Sequence, residues 1–212
     1  MTTETSETSE TSETSGTLAD GGPARPRRLT TTDLALIAAF AALISACALV
    51  GGIPTGAGID ITLQTFGVML AGCVLGPVRG FLAVALYLAL GAIGLPVFSD
   101  HSSGIAPFTG VSAGYLWSFP VAAFLGGLLV KYVAGEKGKT RALVVFLCSA
   151  AGSVFVIHPL GITGMKLFLD VSWNDALHFD MPFWLGDFVK TTLVALVAAE
   201  VHRAFPQLLR RG

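Results

Sequence analysis

Charge is scarce in this sequence. Only 13% of its 212 residues are Asp, Glu, Lys or Arg, against roughly 25% in an ordinary soluble domain. The formal balance is −1 at pH 7, so no global basic field marks a nucleic-acid partner. Cysteine is nearly missing: Cys47, Cys73 and Cys148 lie in apolar stretches with no CxxC and no metal-ligand spacing. They read as small buried helix residues, with no metal site expected. The start of the chain lacks the basic-then-apolar order of a signal peptide.

Catalytic signatures are absent as well. Gly138-Lys139-Thr140 resembles the end of a phosphate-binding loop, but position 133 is Val where that loop needs glycine. The stretch also follows an apolar helix rather than a strand, so the chain is not expected to hydrolyse ATP itself. His101 and His158 stand near Ser102, Ser103 and Pro159 without a GxSxG elbow or paired ligand spacing, which argues against an enzyme. His158, before a proline in a helix, reads as a structural residue. No internal repeat relates residues 30–112 to 113–205, as a self-sufficient secondary transporter would be expected to show.

What is present is apolar sequence: 53% of residues and a mean hydropathy of +0.72. A membrane span needs about 20 apolar residues at 1.5 Å rise. The pattern predicts an all-α integral membrane protein with six transmembrane helices, over 34–52, 62–76, 79–94, 113–133, 142–165 and 183–205. Thr32 or Asp33 is the expected N-cap of the first, Gly76-Pro77 breaks the second from the third, and His158-Pro159 is expected to kink the fifth. The second and third are short, which hints at a pocket above them. Residues 166–182 are expected to be a polar loop. Residues 1–28, a Thr-Ser-Glu repeat followed by Arg25, Arg27 and Arg28, are expected to be a disordered cytoplasmic tail, leaving 29–212 as the membrane domain.

Basic residues orient the bundle. Eleven of the 13 Lys and Arg fall on one side under this topology; Lys166 and Lys190 are the exceptions. Both termini are then cytoplasmic, and the loops 53–61, 95–112 and 166–182 are external.

Asp187 and Lys190 stand three apart on the last helix and so share a face. An ionisable residue at this depth costs about 2.5–3.5 kcal/mol on insertion scales and should face the interior. The two could simply neutralise each other or meet a ligand; the residues alone leave both open. Tyr87 and Tyr115 could supply hydroxyls to a cavity or sit in an interfacial belt. Helix 1 carries alanines at 35, 39, 38, 42 and 46, a smooth strip suited to close helix approach by a neighbour in the chain or a partner.

The strings Thr62-Leu63-Gln64-Thr65-Phe66-Gly67-Val68, Leu75-Gly76-Pro77 and Leu88-Ala89-Leu90-Gly91-Ala92-Ile93-Gly94-Leu95-Pro96-Val97-Phe98, with Gly186-Asp187 and Lys190, closely resemble the BioY family. The resemblance spans about 30–205. These are biotin-binding S components of energy-coupling-factor transporters. It implies biotin capture at a cavity open toward the external face, with no cofactor, in a bacterial cell membrane. A transmembrane coupling protein and two cytoplasmic ATPase subunits would supply the energy, with Ala35, Ala39 and Ala42 as expected docking residues. The implied ligand residues are Asp187, Lys190, Tyr115, Gln64, Tyr87 and Asp100, the last where the family often has asparagine. Phe66, Phe98 or Trp117 would cover the apolar parts of biotin. One string departs from the family: Gly110-Val111-Ser112-Ala113-Gly114-Tyr115 replaces the usual Gly-Pro-Thr-Gly-Gly-Tyr. An S component for another vitamin is the nearest alternative.

Overall fold

The structure, a computed structural model, describes residues 29–55, 58–134 and 142–208. The expected tail, residues 1–28, lies outside them. Among them seven α-helices follow in order: α1 Thr31–Leu49, α2 Gln64–Leu75, α3 Pro77–Ala92, α4 Ala113–Ala134, α5 Ala142–Gly152, α6 His158–Leu169 and α7 Trp173–Ala204. Among the described residues there is no strand, only one antiparallel bridge, Ile53 to Ile61, pinching the loop after α1. Among the described residues four stretches are long and apolar enough to cross a membrane: Thr31–Leu49, Ala113–Val133, Ala142–Leu169 and Trp173–Ala204.

The helix ends follow local chemistry. Thr30, rather than Thr32 or Asp33, caps α1. Its hydroxyl accepts from the Asp33 amide, and the Asp33 carboxylate accepts from the Thr30 amide at 2.9 Å, a reciprocal box that leaves neither group bare. Gly76 turns the chain between α2 and α3 at φ +84°, and Pro77 opens α3 where its missing N–H costs nothing. At 12 residues α2 is roughly 18 Å long, well short of the ~30 Å hydrocarbon layer.

The expected kink near His158 takes the form of a five-residue π turn, Ser153–Ile157, joining α5 and α6 into one rod. Pro159 has no N–H to return to the Phe155 carbonyl, and the wider turn absorbs that lost bond. The expected loop 166–182 is corrected most. The Ser172 hydroxyl accepts from the Asp175 amide, and helix runs from Trp173 straight through Pro182. Polar residues there suggested a loop, but Asp180 is turned into the bundle and completely buried.

Packing between α2, α3 and α4 is backbone to backbone. A Cβ on Gly72 would stand 2.2 Å from the Ala123 carbonyl oxygen, and one on Gly80 2.6 Å from the Gly72 Cα. Gly127 is equally constrained against Gly72. Gly114 on α4 meets the Leu160 carbonyl of α6 in the same way. Small residues permit this closeness, and close packing is what holds helices together where lipid supplies no hydrophobic gain. Large apolar side chains instead point outward, among them Leu34, Phe155, Leu185 and Phe188.

Arg79, one of the eleven basic residues counted on one side of the bundle, lies in the first turn of α3. It is buried, ion-paired to Asp33 at 3.0 Å, and donates to the Leu75 and Leu208 carbonyls. This ties α1, α3 and the end of the chain together.

Candidate ligand-binding site

A cavity of about 240 Å³ opens among the first turns of α2 and α4, the middle of α7 and the loops after α1 and α3. Its polar floor comes from α7. Asp187 and Lys190 are 7% and 6% exposed and form an ion pair. Lys190 also donates to the Thr65 hydroxyl at 2.7 Å and the Thr62 carbonyl at 3.2 Å. The Thr65 hydroxyl in turn donates to Asp187 Oδ1. The three hydrogens of the ammonium are therefore matched by three oxygens, and the pair is both internally satisfied and part of the cavity wall.

Gln64, the first residue of α2, lines the cavity, and its side-chain nitrogen lies 2.7 Å from the Tyr87 hydroxyl. Tyr87 does not line the cavity; it stands one layer behind and is fully buried. Tyr115 does line it, stacked on Phe183 with centroids 5.7 Å apart, and its hydroxyl donates to Asp180 at 2.6 Å. Both tyrosines are thus interior residues rather than an interfacial belt. Asp100 sits at the mouth on a short turn with φ +54°.

The apolar wall contains Phe98, Phe119 and Phe183. Phe66 and Trp117 are not part of it; Trp117 is 61% exposed and donates to the Phe108 carbonyl. Phe98 explains a glycine of its own motif: a Cβ on Gly91 would lie 2.0 Å from the Phe98 ring. That ring then meets Tyr87 edge-on at 5.4 Å and closes the layer behind Gln64.

Sequence reasoning missed Asp60, Ser112, Phe119 and Phe183 in this wall. Asp60 belongs to the short Gly-rich loop after α1, whose polarity alone carried no sign of facing inward. It also missed Asp180 and took His158 as merely structural. Their one signal was polarity beside an apolar run.

The profile of the BioY family matches residues 22–207. The chain belongs to the BioY family. A protein named biotin transporter BioY from Rhodobacter capsulatus is 40% identical over 190 residues, covering 85% of this chain and 98% of that one. A probable biotin transporter BioY from Pyrococcus horikoshii is 38% identical over 171 residues, covering 80% and 96%. Among solved structures, the S component for biotin from an ECF-type ABC transporter superposes with a TM-score of 0.73 at 28% identity. It covers 83% of this chain and 95% of that one. In this BioY-family chain the motif residues Thr62, Gln64 and Thr65 meet Asp187 and Lys190 around one cavity, although 122 positions separate Thr65 from Asp187.

Proposed function

We propose that this chain captures biotin and serves its uptake as the substrate-binding component of an energy-coupling-factor transporter in a bacterial cell membrane. The observation that carries this reading is the cavity built on Asp187 and Lys190 in a chain of the BioY family. Biotin offers ureido N–H donors, a ureido carbonyl, an apolar ring and tail, and a carboxylate. Asp187 accepts from a ureido N–H, Lys190 donates to the ligand, Gln64 and Tyr115 supply further polar contacts, and the three phenylalanines cover the apolar parts. Each such hydrogen bond is worth about 0.5–1.5 kcal/mol net, more where a charge takes part. Asp100 meets the ligand at the mouth, and Tyr87 acts through Gln64.

The segments α1, α2, α3, α4, the α5–α6 rod and α7 make six crossings in this reading. Both ends are cytoplasmic, and the cavity opens outward. The distribution of basic residues supports that orientation. A transmembrane coupling protein and two cytoplasmic ATPase subunits are the partners. Ala35, Ala39 and Ala42 all lie on the exposed face of α1, with Ala41 turned to the core, which suits them to close approach by the coupling protein.

Equilibrium binding of labelled biotin, riboflavin and thiamine to purified protein tests the ligand. Biotin is expected to bind alone, and preference for another vitamin would overturn the reading. Cysteines placed at Thr55 and Asp175 should react with an impermeant thiol reagent on intact cells, and one at Gly138 should not.

A further inference from the structure

Asp180 lies two turns before Asp187 on α7 and does not line the ligand cavity. Its oxygens accept from the Tyr115 hydroxyl at 2.6 Å and from the Trp184 indole at 2.7 Å. Nδ1 of His158 stands 2.8 and 3.0 Å from the same two oxygens. The other ring nitrogen, Nε2, is 3.4 Å from Oδ2 of Asp187. The imidazole is stacked on Trp184 with centroids 4.5 Å apart. One ring is therefore clamped between two buried carboxylates.

The backbone is bent to the same end. The Ser153 hydroxyl donates to Asp187 Oδ2 at 3.2 Å, the oxygen that His158 also faces. Residues five apart on a regular α-helix point roughly 140° away from each other. The π turn over Ser153–Ile157 brings both side chains to one oxygen. The carboxylate of Asp187 is thus divided. Oδ1 belongs to Lys190 and Thr65 at the cavity, and Oδ2 belongs to Ser153 and His158 behind it.

We propose that His158, oriented by Asp180, is a positioning residue for ligand recognition: it occupies the inner oxygen of Asp187 and sets the negative charge that the outer oxygen shows to the ligand. Both ring nitrogens face carboxylate oxygens, Nδ1 within hydrogen-bond distance of Asp180 and Nε2 3.4 Å from Asp187. Without His158 the inner oxygen of Asp187 keeps Ser153 alone of its two neighbours, and the carboxylate turns more of its charge to the cavity. The selectivity of the site shifts toward a cationic ligand.

The inference rests on the biotin reading, and the test separates the two. Purified full-length protein is titrated with biotin and with 2-iminobiotin, in which a guanidinium replaces the urea. The variants are His158→Gln and His158→Gln with Asp180→Asn, which removes the Asp180 carboxylate along with its ring partner, leaves the inner oxygen of Asp187 equally bare, and keeps the protein testable should the single change impair folding. In both, biotin affinity is expected to fall about tenfold. The ratio of the two affinities should move at least about fivefold toward 2-iminobiotin, since only one ligand gains from the exposed charge. Equal losses for both ligands, or a double variant with wild-type affinities, would show that His158 serves the fold alone. Failure of the unaltered protein to bind biotin would instead remove the biotin reading, and this inference with it.

Discussion

Gln64 at the start of α2 and Tyr87 on α3 are joined side chain to side chain across 2.7 Å, with only Gln64 reaching the cavity. The tyrosine fixes the amide plane in the cavity wall. Tyr87→Phe keeps the ring against Phe98 and deletes this one bond. Biotin affinity is expected to weaken about 3- to 10-fold, the worth of one buried hydrogen bond, with thermal stability little changed. Titration of the purified variant checks this, and an unchanged affinity would show that Gln64 needs no such support.

The pair on α7 separates a ligand role from a purely internal one. Asp187→Asn alone strands the Lys190 charge, whereas Asp187→Asn with Lys190→Met removes both charges and should insert and purify soundly. The double variant is expected to bind biotin about a hundredfold more weakly or worse. Near-normal affinity in that protein would reduce the ion pair to a structural feature.

Docking and capture should come apart on α1. Ala39→Trp or Ala42→Trp places an indole on the exposed face, away from the cavity. ATP-driven uptake of biotin in cells is expected to drop severely while equilibrium binding to the purified protein holds. Equal loss of both would place this face inside the working fold.

Arg79→Met strands the Asp33 carboxylate and leaves the Leu75 and Leu208 carbonyls without their donor. Breaking a buried pair costs about 3–5 kcal/mol, so the melting temperature in detergent should fall clearly. Adding Asp33→Asn should recover part of it. Biotin affinity of the surviving folded fraction should stay the same, because none of these residues touches the cavity.

Much of this architecture was legible because it rests on local rules. Gly76-Pro77 announces the break between two short helices, and the three-residue spacing of Asp187 and Lys190 announces a shared inward face. What escaped depends on partners far along the chain. Asp180 and His158, 22 positions apart, look like a loop acid and a lone histidine until a wide turn and a helix through Pro182 bring them together. Arg79 counts as a surface cation in a charge tally, yet its guanidinium is buried against α1 and the last residues. Polarity marks where water or a partner must be found, but sequence alone does not say which. Phe119 and Phe183 were hidden for the opposite reason: in an apolar helix nothing distinguishes a ring facing a cavity from one facing lipid.

At Gly72, Gly80 and Gly127 no side chain stands between the backbones of α2, α3 and α4 that could slide or repack. Those three helices behave as a single keel, and Gly114 fastens α6 to it. Any breathing that admits or expels a molecule must then be borne by parts outside the keel, such as the stretch after Phe98 that carries Asp100. The cavity has a stiff hull and a hatch, and stiffening the hatch should slow exchange without altering the shape of the hold.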